Sequence, residues 1–123
     1  MILSTESIQK YIDEGKINIK PFDSACLKEA SYTLKLAEMV DIDSQEFTLA
    51  MSLEKITLSP IIAAFVSTKS SIARKGIDVA QSSSFCSPET DNQITFEIVN
   101  HSKEKIRLEK DEKVAKLIFV EVK

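Results

Sequence analysis

With 123 residues, the chain suits one domain, residues 1–123, and leaves little room for a second. Hydrophobic residues make up 43% and charged residues 28%, ordinary values for a chain that buries a core, which argue against disorder. The formal net charge of −3 excludes a general attraction to nucleic acid or anionic lipid, although local basic groups can still hold a phosphate.

Ser4-Thr5-Glu6-Ser7 opens a short helix in which Ile8, Tyr11 and Ile12 fall at helical spacing, with Ser4 as cap, Glu6 in the first turn and Gly15 as stop. Ile17 and Ile19 then alternate with Asn18 and Lys20 before Pro21, the pattern of a short strand. Residues 22–31 have no clear period and read as loop with a helical turn. Strands are predicted over residues 32–36, 47–58 (broken near Ser52 or Leu53) and 61–67. Ser70-Ser71-Ile72-Ala73-Arg74-Lys75-Gly76 interrupts this β pattern with a helix of one or two turns closed by glycine. Residues 82–92 are polar and turn-rich. A strand over 94–99 follows, with Ile94, Phe96 and Ile98 on one face and Thr95, Glu97 and Val99 on the other. Residues 100–102 turn the chain, and 114–122 supply a last strand.

Gly15 and Gly76 are the only glycines, so Asp91-Asn92, Asn100 and Asp111 are the expected substitutes in tight turns, because Asn and Asp tolerate the left-handed region best. Cys26 and Cys86 stand alone without CxxC spacing, and His101 is the one histidine. That inventory supplies no zinc site and reads as two free thiols in a reducing, cytoplasmic setting. No apolar run approaches the ~20 residues that cross a bilayer. Met1-Ile2-Leu3-Ser4 lacks the basic and long apolar parts of a signal peptide, so neither membrane nor secretion is expected.

Several blocks, in order, resemble one family. Met1-Ile2-Leu3-Ser4, Gly15-Lys16-Ile17 and Pro21-Phe22-Asp23 form the first block. Ala30-Ser31-Tyr32 with Leu34 and Leu36 is similar to an A-S-Y-D-L-x-L element, with Thr33 in place of the aspartate. Lys69-Ser70-Ser71-Ile72-Ala73-Arg74-Lys75-Gly76-Ile77 is similar to R-S-S-L-A-R-x-G-L. Ile94-Thr95-Phe96-Glu97-Ile98-Val99-Asn100 is similar to I-T-L-E-L-x-N, and Val114-Ala115-Lys116-Leu117-Ile118-Phe119 to I-A-Q-L-I-F. Together these resemble the dCTP deaminase branch of the dUTPase-like proteins. The resemblance implies a mainly β, distorted jelly-roll fold with two short helices. It also implies a homotrimer with nucleotide sites between subunits, dCTP or dUTP as ligand, and Mg²⁺ accompanying the triphosphate.

By the same resemblance Glu97 takes the position of the general acid/base, with Arg74 and Ser70 as further catalytic residues. Lys69, Ser70, Ser71, Arg74, Ser83 and Lys116 are the implied nucleotide contacts. Hydrolytic deamination needs such a carboxyl, since the attacking water must lose a proton while the ring nitrogen and departing ammonia gain one. A carboxyl on an otherwise apolar strand is expected to be partly desolvated, with its pKa pushed toward working pH. Without the resemblance, Glu97 reads first as a solvent-facing side chain on an edge strand; the aligned motif reverses that order. Lys69, Ser70 and Ser71 at a helix start read as an anion cradle, or simply as an ordinary capped helix.

The departures are specific. Ser87 stands where the family's I-D-P-G-F hairpin has its aspartate, and Thr90 where an aromatic sits. In the dUTPase branch that aspartate activates the water for phosphate attack, so deamination is expected in preference to triphosphate cleavage. Lys69 keeps the charge of the family's arginine without its bidentate fork, and Lys116 replaces a glutamine. The chain also ends at Lys123 without the extension that covers the nucleotide in relatives. Three readings follow: a minimal dCTP deaminase, a catalytically impaired relative that keeps trimer and nucleotide binding, and a non-nucleotide interaction module.

Overall fold

The computed structural model describes Met1–Lys123. Helix α1, Thr5–Asp13, starts where Ser4 Oγ accepts from the Ser7 amide at 3.1 Å, and the chain leaves it through Gly15 at φ +77°. Ile8 is its fully buried residue, and Tyr11 and Ile12 pack beside it against the core. Strand β1, Ile17–Lys20, comes next, then a 3₁₀ turn at Ser24–Cys26 whose first free amide, that of Ala25, is capped by Asp23 at 3.0 Å.

The remaining strands are β2 (Leu27–Lys28), β3 (Ser31–Lys35), β4 (Val40–Ile42), β5 (Phe47–Leu58), β6 (Ile62–Thr68), β7 (Ile77–Asp78), β8 (Phe85–Cys86), β9 (Asp91–Asn100), β10 (Ile106–Leu108) and β11 (Lys113–Glu121), with helix α2, Ser70–Ala73, between β6 and β7. One sheet has the order β1-β5-β9-β7, a second β2-β3-β11-β6-β8, and β10 and β4 form a ribbon. All strand pairs are antiparallel. The architecture is mainly β and jelly-roll-like.

A core of 26 buried residues lies between the two main sheets. The four-stranded sheet contributes Ile17, Ile19, Ile56, Leu58, Ile94, Phe96 and Ile98, and the five-stranded sheet Tyr32, Leu34, Val66, Leu117 and Phe119. Each such side chain contributes about 1.5–3 kcal/mol. That is why β9 alternates so regularly, with Ile94, Phe96 and Ile98 inward and Thr95, Glu97 and Val99 outward.

Three expectations change. The 47–58 strand is not broken. Instead β5 runs through a bulge where its register to β9 shifts between Met51 and Lys55. The buried Ser52 hydroxyl replaces the interrupted ladder, accepting from the Ile94 amide at 2.8 Å and donating to the Glu54 carbonyl at 2.7 Å. Asp91, Asn92 and Asn100 are not left-handed turn residues but lie within β9. Glu29, Ala30, Gln45, Glu89 and Asp111 hold the positive φ values, so of the anticipated positions only Asp111 does so. Asn100 is buried because its amide closes the following turn, donating to the carbonyls of Ile42 and Glu104 and accepting from Ser102 N and Oγ. Finally β2, β4, β7, β8 and β10 are two or three residues long, too short to show a period in sequence.

Candidate functional site

Glu97 is half-buried in the middle of β9, flanked by β5 on one side and by the chain after β7 on the other, so it does not lie on an edge strand. Its amide donates to Val79 O at 3.0 Å and its carbonyl accepts from Gln81 N at 3.3 Å. The carboxylate continues the clasp: Oε1 accepts from the amides of Ser82 (2.9 Å) and Ser83 (2.7 Å), while Oε2 has no protein partner. Here the expected acidity is corrected. The Ser83 and Ser82 amides, in that order, hold the carboxyl below the usual glutamate value, because they bond the charged form and outweigh a small burial effect.

The outward face around Glu97 is apolar. Across the sheet Leu49 pairs with Glu97, Phe47 with Val99 and Met51 with Thr95. Phe47, Leu49 and Met51 are 56%, 59% and 40% exposed. Sequence periodicity marks this alternation but cannot say that the apolar set lies outside, since both faces of residues 47–51 carry apolar side chains.

The basic candidates gather elsewhere, in a concavity of about 290 Å³ lined by Lys28, Glu29, Thr33, Lys69, Ser70, Lys113 and Lys116. Topology explains the convergence. The Lys69 amide donates to Val114 O at 2.9 Å, which pins the start of α2 to β11. Lys116 pairs with Thr33 on β3 and Ser67 on β6. Lys28 arrives through the hairpin between β2 and β3, whose turn residues Glu29 (φ 54°) and Ala30 (φ 56°) are both left-handed. Lys116 Nζ lies 3.2 Å from Glu29 Oε2, and Lys69 Nζ donates to Ser71 Oγ at 3.0 Å. The start of α2 has no side-chain cap, so the hydroxyls of Ser70 and Ser71 are not spent on that role.

The structure thus brings Lys69, Ser70 and Lys116 together and adds Lys28 and Lys113, which sequence reasoning missed. Lys113 precedes the expected last strand by one residue, and Lys28 lies in a segment without a period. Ser71 is exposed beside Lys69, and Arg74 is exposed at the far end of α2 without an ion pair. Ser83 lies by Glu97 and lines a separate concavity with Ser87, Thr90 and Gln93 in the β8–β9 hairpin. The largest concavity, about 570 Å³ beside α1, contains none of the candidates.

Mg²⁺ prefers octahedral oxygen donors; with a triphosphate it is held mostly by phosphate oxygens and water, and a protein site adds one or two carboxylates. The donor set here does not fit such a site: the one carboxylate, Glu29, is taken by Lys116, and the other charged groups are ammonium. Nowhere in the chain do three His, Cys, Asp or Glu side chains converge for a metal. Cys26 and Cys86 are unpaired and buried, and burial pushes the Cys86 thiol up to about 11, so neither is a nucleophile near neutral pH. No helix is long and apolar enough to cross a membrane.

The paired sheets, the short helix before β7 and the carboxylate on β9 define a dUTPase-like fold. A solved dCTP deaminase from Agrobacterium tumefaciens superposes with a TM-score of 0.79 at 15% identity, over 99% of this chain and 48% of that one. A dUTPase mutant from phage phi11 of S. aureus, described as coordinating a structural Mg(II) ion, superposes with a TM-score of 0.73 at 11% identity, over 87% and 91%. In sequence, the dUMP-forming dCTP deaminase of Hydrogenobaculum sp. is 30% identical over 99% of this chain and 83% of its own. Their alignment, 148 residues, is longer than the chain, so the relative carries residues that this chain lacks. The dCTP deaminase-like family model matches residues 33–122, and the chain belongs to that family.

Proposed function

We propose that the chain, acting as one domain, deaminates dCTP hydrolytically to dUTP, with Glu97 as general acid/base in a site completed by self-association. The observation that carries this reading is the Glu97 carboxylate, with Oε1 fixed by two loop amides and Oε2 open, on a sheet face whose apolar residues are exposed. An oriented carboxylate with one free oxygen can take a proton from the attacking water and return it to the ring nitrogen and departing amine, so that water adds and ammonia leaves. Covering Phe47, Leu49 and Met51 by neighbouring copies would also strip water from Glu97 and raise its pKa toward the working range. This supports self-association, and the number of three copies comes from the family resemblance.

In this reading Ser70 and Arg74 assist at the reacting end, while Lys69, Ser70, Ser71, Ser83 and Lys116 contact the nucleotide. The relatives' name, dUMP-forming, entails loss of two phosphates as well as the amino group. Ser87 stands at the hairpin position of the family's aspartate, and an unassisted hydroxyl is a poor proton acceptor near neutral pH, so this chain stops at dUTP.

A second reading, a relative that binds dCTP or dUTP without turnover, is favoured by one observation: the clasp that orients Glu97 also makes it a weaker base. Incubation with dCTP, assayed for ammonia and pyrophosphate together, separates the two. Ammonia without pyrophosphate is the expected result. Pyrophosphate matching ammonia would show that Glu89 or Asp91 serves in place of the lost aspartate, and neither product would leave the binding module.

A further inference from the structure

The lysine concavity has a charge pattern that departs from a metal-assisted phosphate site. Lys28, Lys69, Lys113 and Lys116 face one carboxylate, Glu29, in a chain whose net charge is −3. Of these lysines only Lys116 forms an ion pair, with Glu29, whose side chain is 70% exposed and free to swing aside. Gathered ammonium groups repel one another, and a polyanion relieves that repulsion. Ser70 and Thr33 add hydroxyls to the same wall, and the Lys69 amide bond to Val114 keeps the set in register.

A magnesium-bound triphosphate would surrender part of its charge and bring a dication up to four ammonium groups. A free triphosphate keeps its full charge and meets donors on several sides. We propose that this concavity binds the polyphosphate tail of a deoxynucleotide without a divalent cation, Lys28, Lys69, Lys113 and Lys116 together supplying the positive charge that Mg²⁺ would otherwise bring. The identity of the ligand rests on the nucleotide reading above, whereas the metal independence rests on the donor set alone.

Calorimetry with inorganic tripolyphosphate, in EDTA and in excess Mg²⁺ at low salt, is the test. Binding is expected in EDTA and should weaken when Mg²⁺ occupies the ligand. Replacing exposed Lys28 and Lys113 together by Gln should weaken it about tenfold. Glu29→Gln should instead strengthen it several-fold by releasing Lys116, a gain that a loss of folding cannot mimic. Binding that appears only with Mg²⁺, tightens on its addition, or ignores all three substitutions would overturn the proposal. Ammonia release from dCTP that requires Mg²⁺ would also overturn it, yet leave the deaminase reading standing. Tripolyphosphate binding in EDTA with these substitution effects, but no ammonia from dCTP, would sink the deaminase reading alone.

Discussion

Glu54 and Glu97 are both carboxylates held by backbone amides, yet their acidities move in opposite directions. Glu54 is 1% exposed in the β5 bulge, where both its oxygens accept from the Lys35 amide at 3.1 Å. Burial is the larger effect there, and the charged form is disfavoured. Glu97 is open on its Oε2 side, so the two amides win and its acidity increases. The linkage follows. The folded state holds the Glu54 proton more tightly than the unfolded chain, so this contribution is complete below the ordinary value of 4.5 and is lost as pH rises through the raised one. Urea unfolding of Glu54→Gln beside the unmutated protein should therefore show a difference that shifts in favour of the variant between pH 4.5 and pH 7.5. An unchanged difference would contradict the desolvated carboxylate. Glu97 has the reverse sign: its contribution is present above 4.5 and is lost as pH falls through its lowered value.

Among the elements, β5 is the one whose integrity most depends on a single side chain. Ser52 Oγ serves both the Ile94 amide and the Glu54 carbonyl in the core, and Ser52→Ala would orphan both. A loss of about 2–3 kcal/mol is expected, measured by denaturant midpoint, because each stranded buried group costs about 1–3 kcal/mol. A loss under about 0.5 kcal/mol would mean that the bulge closes by itself. The turn between β2 and β3 offers the opposite case. Ala30 sits at φ 56°, where an L side chain is strained, so Ala30→Gly should stabilise the chain by about 0.5–1 kcal/mol. A lower melting temperature for that variant would contradict the assignment. Both features explain what the sequence left unread. The polar Ser52 within residues 47–58 signals an interruption but not that its hydroxyl bridges it, and left-handed Glu29 and Ala30 carry none of the usual Gly, Asn or Asp marks.

At the scale of the molecule, the two main sheets follow from periodicity and motif order, because long alternating segments such as Ile94, Phe96 and Ile98 bury one face of each strand. What escaped was convergence from distant segments. Lys28 and Lys113 meet Lys69 and Lys116 only because β2, β3 and β11 are neighbours in one sheet, and no local pattern encodes that. Nor does alternation reveal which apolar face lacks a cover. The exposed Phe47, Leu49 and Met51 predict self-association: light scattering should give about three times the 13.7 kDa chain mass. Leu49→Glu, beside Glu97, should return a monomer, whereas a monomeric unmutated protein at micromolar concentration would remove the intersubunit site.

The most direct test of the whole account compares ammonia release from dCTP by the unmutated protein and by Glu97→Gln, with nucleotide binding measured on both. Glutamine can keep the Ser82 and Ser83 amides satisfied through its own carbonyl oxygen but cannot shuttle a proton. The account predicts a fall of roughly 10²–10⁴ in rate with dCTP affinity nearly unchanged. Equal ammonia release from the two proteins would contradict it.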